Sequence, residues 1–287
     1  MLGAAFFFSL MAAFVKLIGP RIPTQEVVLV RAVILLVLSA GALKARRRPL
    51  LGTRHGLLVL RGVLGLIALF CFFAAVVRLP LADVTVLQYT SPVFTAFIAA
   101  VVLGERMGSR EVAFAALSLA GVVLVARPSF LFGEASLDPF WVLVAVLGAL
   151  FTSGAYVAVR RVAAHEDPMT IVLYFAAVSV LGSLPLVIPT WVSPTALEWG
   201  WLLGMGLATQ LGQVLLTRGL KAAPAGRAVA VGYIQIAFAA LWGWLIFSEL
   251  PDGIGMVGTG VIMLGTYGLM RTRAGTAGAV AQSRAAR

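Results

Sequence analysis

The chain has 287 residues, of which 61% are hydrophobic and only 11% charged, and its mean hydropathy is +1.02. Soluble domains carry about 25% charged residues, so a globular fold of this length would lack the polar side chains to coat its cores, and lipid has to be the solvent. The formal charge of +11 does not mark a nucleic-acid partner, because the basic residues fill short gaps between apolar runs and form no stripe on a polar surface. One cysteine, Cys71, and two histidines, His55 and His165, exclude a disulfide framework and a Cys- or His-rich metal site. No cofactor is expected.

A helix that crosses a bilayer needs about 20 mostly apolar residues. Ten runs qualify, at approximately 2 to 19, 25 to 43, 56 to 77, 81 to 103, 110 to 127, 139 to 159, 169 to 190, 197 to 217, 226 to 247 and 253 to 270. The expected fold is therefore an all-α integral membrane protein of ten transmembrane helices. The first run lacks a basic leader and an Ala-x-Ala site, so it reads as a span and not as a cleavable signal. Residues 271 to 287 show no periodicity and are expected to form a disordered cytoplasmic tail.

When the gaps are assigned alternately to two sides, one side collects Lys44, Arg46, Arg47, Arg48, Arg54, Arg61, Arg106, Arg110, Arg160, Arg161, Arg218, Lys221, Arg227, Arg271, Arg273, Arg284 and Arg287. The other receives Arg21, Arg78 and Arg127, and Lys16 and Arg31 fall within spans. The positive-inside rule then places both termini in the cytoplasm, and the net charge reads as an orientation signal for a multi-pass protein of the cell membrane, a bacterial inner membrane being the expected location.

The chain also aligns with itself. In one ungapped register Phe7 meets Phe151, Ser9 meets Ser153, Val15 meets Val159 and Lys16 meets Arg160. Further along the same register Gly62 meets Gly206, Pro80 meets Pro224, Tyr89 meets Tyr233, Phe94 meets Phe238, Glu105 meets Glu249 and Gly121 meets Gly265. This predicts two related five-helix halves, 1–130 and 131–270. Five is odd, so the halves would enter the membrane from opposite sides, the arrangement of secondary transporters whose site lies near the midplane.

The stretch RGVLGLIALFCFFAAVVRLPLADVTVLQYTSPVFTAFIAAVVLGER, from Arg61 to Arg106, resembles the first-half signature of the EamA branch of the drug/metabolite transporter superfamily. The signature positions hold Pro80, Ala82, Asp83, Ser91, Pro92, Leu103, Gly104, Glu105 and Arg106. The segment VVLVARPSFLFG, ending at Gly133, is similar to G-type members of solute carrier family 35 in animals. The resemblance covers nearly the whole chain. It implies ten helices in inverted repeats, alternating access, and a central cavity lined mainly by spans one, three, four, six, eight and nine. It implies no particular substrate. In the second half Gly226 and Arg227 stand for Ala-Asp, Gln235 and Ile236 for Ser-Pro, and Phe247 and Ser248 for Leu-Gly, while Glu249 is kept.

Polar side chains inside a bilayer are costly, so each is a functional candidate. Gln88, Ser91 and Thr95 share one helical face beside Pro92, which frees a backbone carbonyl and breaks the helix. Gln210 and Gln213, three apart in the eighth run, are expected to line the cavity, with a helix-to-helix clamp as the alternative. Tyr89 and Tyr233 are symmetry-related and either face each other across the cavity or pack in the core; Gln235 stands where the first half has Ser91. Lys16 and Arg31 would favour an anionic group if they point inward, although Lys16 is close enough to a helix end to snorkel. Asp83, just past Pro80, is expected to stabilise a helix start. Glu105 and Glu249 are read as fixing equivalent turns or contributing to gates, and Trp242 and Trp244 as members of an interfacial belt.

No Walker A pattern surrounds Lys16, Lys44 or Lys221, so the chain is not an ATPase, and with both histidines in gaps no metalloprotease or serine-hydrolase arrangement is available. The expected activity is that of a secondary transporter, an exporter or exchanger of a small zwitterionic or anionic organic metabolite, with a channel or a non-transporting membrane assembly protein as the alternative. The partners are that metabolite and the lipid bilayer, with no nucleic acid; a homodimer is left open.

Overall fold

The computed structural model describes residues 1–19, 21–132, 137–248 and 252–272. Glu249 and all of the expected tail beyond residue 272 lie outside them. Among the described residues every regular element is helical: α1 (Leu2–Ile18), α2 (Thr24–Ala45), α3 (His55–Arg78), α4 (Leu81–Gln88), α5 (Ser91–Leu103), α6 (Ser109–Ala126), α7 (Ser129–Phe132), α8 (Pro139–Val162), α9 (Pro168–Val187), α10 (Ala196–Ala222), α11 (Ala225–Ala230), α12 (Gln235–Phe247) and α13 (Gly253–Arg271). Short 3₁₀ turns follow α9 and α11. Among the described residues eight helical stretches are long and apolar enough to cross a membrane, and α1 is a shorter apolar helix. The chain is a helical integral membrane protein.

Local chemistry sets the helix ends. Asp138 and Asp167 each accept a hydrogen bond from a backbone N–H two residues on, of Phe140 and Met169, with Pro139 and Pro168 as the first helical residues. Thr195 and Glu198 form a reciprocal capping box at the start of α10, and Asp252 caps α13 through Gly255 N. Gly104, with φ 68°, ends α5 in the left-handed conformation that glycine adopts at least cost. Asp83 stands in the first turn of α4, where a carboxylate favours the helix start, and its buried carboxylate also accepts from the backbone N–H and the hydroxyl of Ser129, tying α4 to α7.

Helix α1 packs on α10, α3 on α8, α2 on α9 and α6 on α13. The last contact is close because glycines face it. A Cβ on Gly121 would stand 2.7 Å from the carbonyl of Gly258, and one on Gly265 would stand 2.3 Å from Ser118 Oγ; such small-residue faces drive helix association where lipid removes the hydrophobic incentive. Large apolar side chains such as Phe97, Val101, Leu181 and Ile188 are exposed on the outer surface, where acyl chains cover them.

Two helices are interrupted. The first break is the turn at Tyr89 and Thr90 between α4 and α5, and the second is the 3₁₀ turn Val231–Ile234 between α11 and α12. The elements α5, over 91–103, and α12, over 235–247, keep the 144-residue spacing of Tyr89 and Tyr233. The second break forms without the Ser-Pro of the first, through 3₁₀ bonding of the backbone alone.

Candidate functional site

The interrupted helices meet at a cavity of about 770 Å³ whose lining includes Gln88, Tyr89, Ser91, Tyr156, Gln213 and Gln235. Apolar walls come from Phe8 and Met11 of α1, Phe72 of α3 and Val125 of α6. Each spanning segment implied by the resemblance contributes a residue, and α6 adds to them. A second cleft, of about 1130 Å³, lies between α6 and α13 at Gly108, Ser109, Arg110 and Arg271. It sits at a helix-end surface beside the exposed Leu264 and Tyr267. The smaller cavity has the convergent amides and hydroxyls expected of a metabolite site.

Pro92 has no N–H to give to Gln88, and Val93 N turns to Thr90 O at 2.9 Å, so the carbonyls around Tyr89 leave the helical ladder. The Tyr233 hydroxyl donates to Tyr89 O at 3.0 Å, with the two rings 5.8 Å apart. Tyr233 is fully buried and supports the cavity wall from behind. Ser91 O accepts from the hydroxyls of Thr95 and Ser153, each at 2.8 Å, and Gln88 Nε2 donates to Thr152 Oγ1 at 3.0 Å. The break is therefore hydrogen-bonded on both sides.

Gln210 and Gln213 part company. Gln213 lines the cavity. Gln210 is buried away from it, its amide donating to Ser39 Oγ at 2.9 Å and approaching Met169 Sδ at 3.4 Å, so the clamp reading replaces the cavity reading there. Residues three apart differ by about 60° around a helix, enough for one to face α2 and α9 and the other the cavity. Lys16 also stands apart from the cavity lining: it is exposed, with Nζ 4.3 Å above the ring of Phe247. Arg31 is not among the lining residues either, and the Trp242 indole Nε1 donates to Ser9 Oγ at 2.9 Å.

Glu105 does more than fix its own turn. It accepts from Arg160 Nε and from the backbone N–H of Ala225, both at 2.7 Å, and Arg160 Nη1 donates to the carbonyls of Leu220 and Lys221. Arg160 lies one turn past the cavity-lining Tyr156 on α8, so this network ties the turn after α5 to α8, α10 and α11. Pro92 is buried at the break.

Arg61 overturns its assignment to a loop. It lies in the second turn of α3, is 4% exposed, and rests with its guanidinium 3.9 Å from the ring centre of Phe175. Its Nη2 donates to Gln213 Oε1 at 3.2 Å, while its Nε has no hydrogen-bond partner. A Cβ on Gly65 would stand 2.7 Å from Nη1, so glycine there makes room for the group. A cation held within a membrane helix costs about 3 kcal/mol. The signal that could have found it was its place six residues inside the helix, nearer the apolar run than the charged gap. Tyr156, which faces Arg61 from the cavity wall, carried no comparable signal.

The model of the EamA-like transporter family matches residues 1–127 and again residues 139–271. The chain belongs to the EamA-like transporter family. It is 36% identical over 279 residues to the pseudopaline exporter CntI of Pseudomonas aeruginosa, the alignment covering 95% of both chains. To human solute carrier family 35 member G1 it is 27% identical over 261 residues, covering 86% of this chain and 71% of that protein. A solved crystal structure shares the fold, with a TM-score of 0.80 over 93% of each chain at 21% identity. The chain is a multi-pass membrane transporter of a small-molecule substrate and not an enzyme.

Proposed function

We propose that this EamA-like transporter is an alternating-access carrier that exports or exchanges a small zwitterionic or anionic organic metabolite, its two halves rocking about the cavity at the paired helix breaks. The observation that carries this reading is the convergence of Gln88, Ser91, Gln213 and Gln235 on one cavity. Carboxylate, amine and amide groups all find partners among such side chains.

On this reading ten segments cross the membrane as two inverted halves, 1–130 and 131–270, with both ends in the cytoplasm. Three features support it. The family model matches twice. Exchanging the halves maps the packing pairs onto themselves, α1 on α10 becoming α8 on α3, while α2 on α9 and α6 on α13 are unchanged. Gly62 faces Val178 just as its counterpart Gly206 faces Ile34. The relative named as an exporter aligns end to end, which favours outward transport, and the Glu105 network is then the cytoplasmic gate.

The test is flux in proteoliposomes. Counter-substrate on the far side should accelerate a saturable flux, and Gln213→Leu should abolish it without loss of folded protein. Linear, non-saturating flux would replace the carrier by a channel, and uptake driven by an imposed pH gradient alone would replace exchange by proton coupling.

A further inference from the structure

Arg61 is a buried cation in search of an anion. The ion pairs among the described residues include Arg21–Glu198, Arg127–Asp252, Arg160–Glu105 and Arg227–Glu111, and none of these four reaches Arg61 or Arg31. Arg31, on α2, lies within Coulombic range of Arg61, so two positive charges share one part of the interior, and no carboxylate of the described residues is seen paired with either. A protein that buries a charge without a partner loses stability, unless something that comes and goes supplies the opposite charge.

The free edge of Arg61 has the shape for it. The Nε and Nη2 N–H groups of a guanidinium lie on one side and bind the two oxygens of a carboxylate as a fork. In this protein Arg21 uses that same edge, Nε and Nη2, to hold both oxygens of Glu198. On Arg61 the Nε is unpaired and the Nη2 is held by a neutral amide, Gln213 Oε1, at the long distance of 3.2 Å. Gln213 belongs to the cavity wall, so the edge is covered on its cavity side by one side chain that can turn away. Phe175 stacks on the guanidinium and Gly65 leaves it clearance, which fixes its plane in advance.

We propose that Arg61 is a substrate-binding residue: a carboxylate entering the cavity displaces Gln213 and takes the Nε–Nη2 edge, with Arg31 adding to the positive potential. This rests on the carrier reading above and gives it a substrate class, metabolites with at least one carboxylate. Gln213 is then the side chain that covers the cation when no substrate is bound.

The experiment uses the purified full chain and thermal shift with glutarate, citrate and N-acetyl-L-aspartate, each beside its fully amidated counterpart. The expected result is that at least one carboxylate stabilises the protein while its neutral amide does not. Arg61→Gln should weaken that binding about tenfold to a hundredfold, the range for losing a charge-assisted contact, and Arg61→Lys should recover part of it. Without ligand, Arg61→Gln loses the stacking on Phe175 and the hydrogen bond to Gln213 together with the uncompensated charge, so its melting temperature alone decides nothing; a purely structural role leaves the carboxylate-induced shift in place in this variant, and a binding role removes it. Unchanged carboxylate binding in Arg61→Gln, or no stabilisation by any of the three carboxylates, would overturn the assignment. Solute export by cells expressing the protein separates the two readings. Export without carboxylate binding leaves the carrier and removes this site; Arg61-dependent binding without export leaves the site and removes the carrier.

Discussion

The hydroxyl of Tyr233 donates to the backbone carbonyl of Tyr89, its own counterpart 144 residues earlier, at 3.0 Å. Residues that the 144-residue register aligns thus touch at the helix breaks. The carbonyl is available because Pro92 disturbs the ladder around it, so one half supplies the acceptor and the other the donor.

Tyr233→Phe should therefore cost about 1 kcal/mol, the net value of one such hydrogen bond, and should slow flux by loosening the turn at Tyr89 and Thr90. Thermal melting and initial rates measured on the same preparation check both. An unchanged rate and an unchanged melting temperature would mean that the two breaks are independent.

The two glutamines of α10 should separate by phenotype. Gln210→Leu removes a donor to Ser39 on α2 and should lower stability by about 1 kcal/mol while substrate affinity is kept. Gln213→Leu should lose transport and also lower stability, because it strips the buried Arg61 guanidinium of its hydrogen bond. Melting curves and flux for the two single variants, and not for the double variant alone, distinguish a clamp from a cavity residue.

Glu105 and Arg160 are each partly exposed, yet their pair also fixes the N–H of Ala225 and two carbonyls. If this pair acts as the cytoplasmic gate, Glu105→Gln should raise the reactivity of a cysteine placed at position 156 toward a thiol reagent added from the cytoplasmic side, in a Cys71→Ala background. A double-mutant cycle with Arg160→Gln should give a coupling energy of about 1–3 kcal/mol. Additive effects would exclude the pair as a gate.

Gly121→Val would push side-chain atoms into the carbonyl of Gly258 and the body of Ile262. Overpacking of this kind costs about 1–3 kcal/mol, and the same direction is expected for Gly265→Val against Ser118 and Phe114. Thermal unfolding of the two variants measures it; Gly200→Val, with nothing near the added atoms, is the control.

Glu166 lies in the gap after α8 and carries a pH dependence outside the spans. Burial pushes its carboxyl up, but hydrogen bonds from Arg54 N and from the hydroxyl and N–H of Thr53, with His55 nearby, outweigh it and hold the group below its usual 4.5. A group whose value is lowered by folding contributes stability that is complete above the unfolded value and is lost as pH falls through the folded one. Melting temperature should therefore fall below pH 4.5 in the wild type, and Glu166→Gln should be less stable at neutral pH and flatter in that acidic window.

Much of the architecture could be read from the residues in order. The apolar runs fall on the helices within a few residues, and the register that aligns Tyr89 with Tyr233 and Gly121 with Gly265 reappears in their contacts. Five of the residues singled out for substrate contact, Gln88, Tyr89, Ser91, Gln213 and Gln235, line the cavity. Lys16, Arg31 and Gln210 do not, Tyr233 lies behind the wall, and Arg61 was counted among the loop cations although α3 buries it.

Lipid residence and the charge bias between gaps follow from composition and order alone, because the bilayer tests each segment for length and polarity separately. Which side of a helix faces the cavity is a different matter. A soluble helix shows its buried face by an apolar stripe, but here the lipid side and the packed side are both apolar, so the period is silent. Only the packed structure could decide that Gln210 turns to Ser39 while Gln213 covers a buried arginine, since that choice depends on where neighbouring helices place their own few polar atoms.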